Sequence, residues 1–219
     1  VNILETDIAH RLGASFRAGQ IAWTDGYATM EAAHTGGLTC AAVLIPLVRE
    51  NGAWSMVFTR RTDTVESHKG QVSFPGGACD PGELPEQTAL REAEEEVGLQ
   101  PGDVRVLGRL NDIVTITGYR VSPVVGVAPW PYPFQPSVIE VSRIFTIPLT
   151  WLGARANWEE IPVTPQGMPR SVPVVTYHQY DGEIVWGATA RMVQCFLAVL
   201  TEPGGDAQSI SDADDPRVA

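Results

Sequence analysis

Glu92, Glu95 and Glu96 stand three and four residues apart, directly after a glycine-rich loop. On a helix turning about 100° per residue, these carboxylates gather within roughly a third of the circumference, while Leu90, Ala93 and Val97 form an apolar stripe facing away. Like charges four apart, such as Glu92 and Glu96, cost a helix roughly 0.2–0.5 kcal/mol unless positive charge lies between them. A divalent cation supplies that charge. Carboxylate oxygens suit hard ions such as Mg2+ or Mn2+, and Mg2+ characteristically sits between one or two protein carboxylates and substrate phosphates. Such an ion bridges an acidic helix to an anionic diphosphate, lowers the pKa of a bound water and stabilises charge on phosphorus oxygens. The chemistry implied is hydrolysis of a phosphoanhydride.

The preceding loop must position those glutamates. Gly76, Gly77 and Gly82 permit a tight bend and close approach of the backbone to an ion or phosphate. Pro85 suits a first helical turn, so the pattern predicts a helix over Leu84 to Val97. The spacing resembles the Nudix hydrolase signature, G-x5-E-x7-R-E-U-x-E-E-x-G-U with U bulky and apolar. Gly77, Glu83, Arg91, Glu92, Glu95, Glu96, Gly98 and Leu99 match it, and Ala93 is smaller than the usual residue. The resemblance implies that Glu92 and Glu96 ligate metal, with Glu95 as a further ligand or the base for the attacking water. It also implies a backbone carbonyl ligand from Gly76 or Gly77, and a Glu83–Arg91 ion pair joining loop to helix.

Residues 58 to 77 resemble an element of the coenzyme A pyrophosphatase branch of that family, with Thr59, Arg61, Gly70, Phe74, Pro75, Gly76 and Gly77 in register. Thr62 replaces a serine, and Glu66 stands where the branch pattern has arginine. Downstream, Leu110-Asn111-Asp112-Ile113 with Thr115, Gly118 to Gly126, and Trp186 to Ala190 are similar to the same branch, with Asn111 replacing an aspartate. The branch implies cleavage of coenzyme A or acyl-CoA to 3′,5′-ADP and 4′-phosphopantetheine. Glu66 keeps open another nucleoside diphosphate derivative, such as ADP-ribose, or an NTP; a third alternative is a silent nucleotide-binding module. With 15 Lys+Arg against 26 Asp+Glu and a formal net charge of −11, the chain as a whole repels such substrates. Local bases must reverse that, and Arg60, Arg61, Lys69 and Arg120 are the substrate-binding candidates, with His68 a more ordinary surface donor.

At 219 residues and 44% hydrophobic content, one substantial domain is expected. No apolar run reaches the ~20 residues of a membrane helix, and no export signal opens the chain. Three cysteines, odd in number and widely separated, fit a reducing compartment better than a disulfide scaffold, which suggests a cytoplasmic protein. The acidic balance argues against nucleic-acid binding, leaving a small molecule as the partner.

The pattern predicts a helix within residues 4 to 20 with Ile8 and Leu12 inward, and strands over Thr39 to Val48 and Trp54 to Arg61 joined at Asn51-Gly52. Further strands are expected at Val104 to Leu110, Val121 to Val127, within Glu140 to Leu149 where a strand leads into a short helical turn, Val172 to Tyr177 and Glu183 to Trp186, before a helix carrying Met192, Val193, Phe196, Leu197 and Leu200. Trp130 and Tyr132, in a proline-rich connection, offer rings for packing or for stacking on adenine. The expected fold class is α/β, and by resemblance a Nudix-type α/β/α sandwich with a mixed β-sheet. The expected organisation is an N-terminal extension at 1–37 that could serve as a lid or homodimer surface, a Nudix hydrolase domain at 38–201, and an acidic disordered tail at 202–219.

Overall fold

The computed structural model describes residues 3–24, 37–62, 70–164 and 171–201. Strand β2 (Thr39–Glu50) organises the molecule, and its composition explains why: an apolar run rich in valine, leucine and isoleucine is buried on both faces. It turns at Asn51 and Gly52, both at positive φ (49° and 81°), into β3 (Ala53–Arg61). That pair of left-handed residues gives a two-residue turn whose twist suits flanking strands.

One edge of β2 is shared. Its end pairs with β3 from Leu47↔Met56 to Glu50↔Ala53, and its start pairs with β5 (Gly76–Ala78) through Ala41↔Ala78, Ala42↔Gly77 and Val43↔Gly76. The other edge runs parallel to β8 (Tyr119–Val127), from Thr39↔Tyr119 to Leu47↔Val127. The remaining partners are β1 (Ile21–Thr24), β4 (Val72–Ser73), β6 (Arg105–Arg109), β7 (Asp112–Val114) and β9 (Val141–Pro148). They complete a nine-stranded mixed sheet in the order β1-β7-β8-β2-β3-β4, with β5 on β2, β6 on β8 and β9 on β3.

Helices cover both faces. On one side lies α2 (Pro85–Val97), where Ala89, Ala93, Val97 and Leu99 bury against Ala42, Leu44, Val57 and Val124. The small Ala93 is fully buried, so the helix packs its backbone close to the sheet. Leu90, expected in the apolar stripe, packs only at that cluster's margin. Trp130, Tyr132 and Phe134 also pack there, and the Tyr132 hydroxyl donates to Asp103 Oδ2 at 2.8 Å and accepts from the Gln100 amide at 3.1 Å. Those rings therefore serve packing. The opposite face carries α1 (Glu5–Ser15) through Ile8 and Leu12, the short α3 (Leu149–Leu152), and α4 (Gly187–Thr201) through Met192, Val193 and Phe196. The architecture is an α/β/α sandwich.

Two sequence expectations change. Cys40 and Cys79 form a disulfide, because the antiparallel β2–β5 ladder brings their Cα atoms to 5.4 Å; that removes the cysteine argument for a reducing compartment. Glu183 to Trp186 makes only isolated bridges, Tyr180↔Glu183 and Thr176↔Trp186, around the Asp181-Gly182 turn. The continuous partner of β11 (Val172–Tyr177) is instead β10 (Trp158–Val163), whose half-exposed to exposed side chains gave no core signal. The tail at 202–219 and the segment containing Glu66, His68 and Lys69 lie outside the described residues. No helix among the described residues is long and apolar enough to cross a membrane.

The β3 core centres on Phe58, fully buried, with ring centroids 4.9 Å from Phe74 and 5.8 Å from Phe145. Phe58→Ala is expected to destabilise the fold by about 3–5 kcal/mol, read by denaturant unfolding at unchanged m-value.

Candidate functional site

Helix α2 begins with Pro85 at its first position, and the Leu84 amide donates to Gln87 Oε1 at 2.8 Å. It ends at Gly98, whose φ of 69° lets its amide reach Glu94 O at 2.9 Å while the Leu99 amide reaches Ala93 O at 3.2 Å. Start, stop and inward alanines fix the helix rotation, and hence where each glutamate points.

Arg91 is the hub of the outer half of the site. Its Nε donates to Glu83 Oε1 at 3.0 Å and Nη2 to Glu83 Oε2 at 3.1 Å, a bidentate pair. The same guanidinium donates to Glu92 Oε1 at 2.7 Å, Glu95 Oε2 at 3.4 Å and Ala78 O at 3.1 Å. Glu83 also accepts from the Asp80 amide at 3.1 Å and Thr88 Oγ1 at 2.7 Å. Arg91 first, then Thr88 and the Asp80 amide, hold its carboxyl down at about 2. The loop-to-helix ion pair expected from the sequence is therefore present.

The inner half is drier. Glu96, with a side chain 6% exposed, is pushed up to about 8 by burial; Arg61 opposes the shift, while Glu140 and Glu92 reinforce it. Burial also raises Glu92, against the pull of Arg91. A Cβ on Gly77 would lie 2.6 Å from the Glu92 carboxylate, so the loop backbone and that carboxylate touch only because residue 77 has no side chain. Gly76 packs as tightly on β2, where an added Cβ would lie 2.6 Å from Val43 Cα. Glu95, by contrast, has a side chain 58% exposed.

Arg61 closes the inner half from the end of β3, with Nη1 3.7 Å from Glu96 Oε1. Its Nε is buried without an acceptor among the described residues. A buried guanidinium N–H without an acceptor is costly, and an anionic oxygen would relieve it.

Glu140 was not singled out by its sequence position. The Glu140 amide bonds Ser137 O at 3.0 Å, the Ser137 amide bonds Glu96 O at 2.8 Å, and the Thr62 amide bonds Glu140 O at 2.9 Å. Those links bring its charge to bear on both Glu92 and Glu96. No local pattern announces it, since a single acid before a strand reads as solvated surface.

Two candidate arginines are engaged elsewhere. Arg120 Nε donates to the buried Asp112 Oδ2 at 2.6 Å, and Ser122 Oγ takes the other oxygen at 2.7 Å. Arg60 alternates to the opposite face of β3 from Arg61, reaching Gly70 O at 3.4 Å and lying 3.7 Å from Glu183. Lys69 lies outside the described residues.

Among the described residues no three acidic, thiol or imidazole side chains converge as a ready-made metal cage. Arg91 and Arg61 supply part of the positive charge that the crowded carboxylates require. They do not supply enough, since Glu96 still favours its proton. The donor set is all oxygen and lies beside a close-packed backbone, chemistry that suits a hard divalent cation.

A NUDIX domain family model matches residues 38–149. A relative from Escherichia coli (strain K12), named as uncharacterized Nudix hydrolase NudL, is 39% identical over 155 residues, spanning 70% of this chain and 79% of its own. Among solved structures, a Nudix hydrolase from M. Smegmatis, RenU, aligns at 25% identity and a TM-score of 0.46 over 53% of this chain and 74% of that one. A MutT/nudix family protein from Enterococcus faecalis aligns at 12% identity and a TM-score of 0.49, over 90% and 73%.

Two outcomes are expected in metal-free protein. Because Glu96 holds its proton up to about 8 when folded, against 4.5 ordinarily, its contribution to stability is full below pH 4.5 and lost as pH rises through 8. The melting temperature in chelator should fall over that interval, and Glu96→Gln should flatten the fall. Gly77→Ala should melt within a few degrees of the parent yet bind Mn2+ more weakly by calorimetry, because Glu92 must swing away from the new methyl.

Proposed function

Since this chain belongs to the Nudix hydrolase family, we propose that it hydrolyses the diphosphate linkage of nucleoside diphosphate derivatives, with coenzyme A and its thioesters as preferred substrates. The observation that carries the reading is the meeting of Arg61 and Glu96, 3.7 Å apart. Arg61 belongs to the upstream element that resembles the coenzyme A pyrophosphatase branch, and Glu96 to the glutamate helix. The upstream element and the glutamate helix thus meet at this contact.

Bound Mg2+ or Mn2+ would contribute positive charge beside the diphosphate and acidify a water. Glu92 and Glu96 would hold the cation, and the Gly76-Gly77 backbone lies against them. Arg61 directs its unsatisfied Nε toward a phosphate oxygen and neutralises charge that the acidic chain would otherwise repel. Glu95, more exposed than Glu92 or Glu96, accepts the proton of the attacking water. That water attacks one phosphorus, the P–O–P bond breaks, and 3′,5′-ADP leaves from 4′-phosphopantetheine. Arg91 and Glu83 touch no substrate; they hold the loop and Glu92 in place.

A second reading rests on Glu66, which stands where the branch pattern has arginine. It favours a less anionic nucleoside diphosphate derivative such as ADP-ribose, because one phosphate-gripping group is missing.

Incubation of the purified chain with Mg2+ or Mn2+ and either CoA, ADP-ribose or an NTP, with products identified by mass, separates these readings. The expected result is 3′,5′-ADP from CoA at the highest kcat/KM; equal or faster turnover of ADP-ribose would overturn the CoA preference. Arg61→Ala should raise KM roughly tenfold or more while changing kcat less, as expected for loss of a charged hydrogen bond.

A further inference from the structure

The Cys40–Cys79 disulfide has no part in either hydrophobic cluster and no role in the hydrolysis outlined above. Its position is specific. Cys79 follows β5 directly, between Ala78, whose carbonyl accepts from Arg91 Nη2 at 3.1 Å, and Asp80, whose amide donates to Glu83 Oε2 at 3.1 Å. The bridge therefore fastens to β2 the one residue that lies between the two loop contacts of the Arg91–Glu83 brace. Through that brace it acts on Glu92, 2.7 Å from Arg91 Nη1. Backbone bonds hold the same place more weakly: the Cys79 amide reaches Cys40 O at 3.0 Å, and Ala41 pairs with Ala78. Opening the bridge would thus leave the sheet standing and loosen the turn that follows it. Cys40 is exposed and Cys79 half-buried, so small molecules can reach the bond from the Cys40 side.

We propose that Cys40 and Cys79 form a thiol-exchange site that sets the order of the glutamate loop: closed, the disulfide braces the loop for cation binding; opened by a small thiol, it weakens that binding. The inference rests on reading the glutamate helix as a metal site. In the exchange, the thiolate of a low-molecular-weight thiol attacks Cys40 Sγ, forming a mixed disulfide and expelling the Cys79 thiolate. A second thiol attacks the mixed disulfide and frees Cys40. Two thiols are oxidised to one disulfide, and the protein disulfide takes up the two electrons and two protons.

The test has two readouts that need no substrate. Alkylation of the unfolded chain followed by mass measurement should count one thiol, Cys195, before treatment with dithiothreitol and three after it. Three thiols in air-equilibrated or disulfide-treated protein would overturn the pair. Hydrogen exchange of the amides from 76 to 83 should slow on Mn2+ addition, with the half-point raised roughly threefold or more in reduced protein, since a pre-ordered loop gives up less freedom on binding. Cys40→Ser and Cys79→Ser should both match the reduced protein whether or not dithiothreitol is present; agreement between them separates loss of the bridge from a change in the loop residue itself. Equal Mn2+ half-points in the two states would overturn the coupling alone. No Mn2+ effect in either state would overturn the metal reading, and this inference with it.

Discussion

A carboxylate taken out of water sets the terms for the rest of this molecule. Glu96 sits on the inward turn of α2 with its side chain almost wholly covered, and it keeps its proton to about pH 8 even with Arg61 beside it. Burying a carboxyl without full compensation is costly, so the surroundings are organised around that deficit. Arg61 reaches in from β3, Glu140 adds negative charge from the approach to β9, and Arg91 restrains Glu92 on the outer side. Dry and wet halves of one helix thus have different characters. The outer half is a satisfied network; in the inner half Arg61 alone does not offset the carboxylates.

Much of this could be read from the amino-acid order. Helix α2 is legible to within a residue, because Pro85, the inward alanines and Gly98 are local signals that act within one or two turns. The Asn51-Gly52 turn and the inward Ile8 and Leu12 were legible for the same reason. The Glu83–Arg91 pair followed from the family pattern. What could not be read depends on distant segments meeting. Glu140 reaches the site through hydrogen bonds from Thr62 and toward Glu96, at separations no periodicity encodes. Arg120, a substrate-binding candidate in sequence, is held by Asp112 on the neighbouring strand. The disulfide joins residues 39 apart that become neighbours only when β5 folds back on β2. Strand β10 was missed because its solvent-facing composition carries no alternation to detect.

The simplest picture from sequence, a cation as the sole answer to carboxylate crowding, becomes more particular in three dimensions. Guanidinium groups meet part of the demand before any ion arrives. A divalent ion held as proposed by Glu92 and Glu96 would displace the proton on Glu96 and compete with Arg91 for Glu92. Cation binding is accordingly tied to pH and to the loop contacts of Arg91, so the ionisation of the site and the order of the loop are not independent.

The divided edge of β2 has a consequence for how such a chain can diversify. One strand sets the register of the hairpin at one end and of the glycine loop at the other. Residues inserted at the Asn51-Gly52 tip would bulge into solvent and leave both ladders in phase. Extra residues between Ala78 and Glu83 would have no slack to occupy, because both ends of that stretch are tied to one guanidinium. Added length is therefore tolerated at the outward turn and disruptive in the stretch that enters the acidic helix.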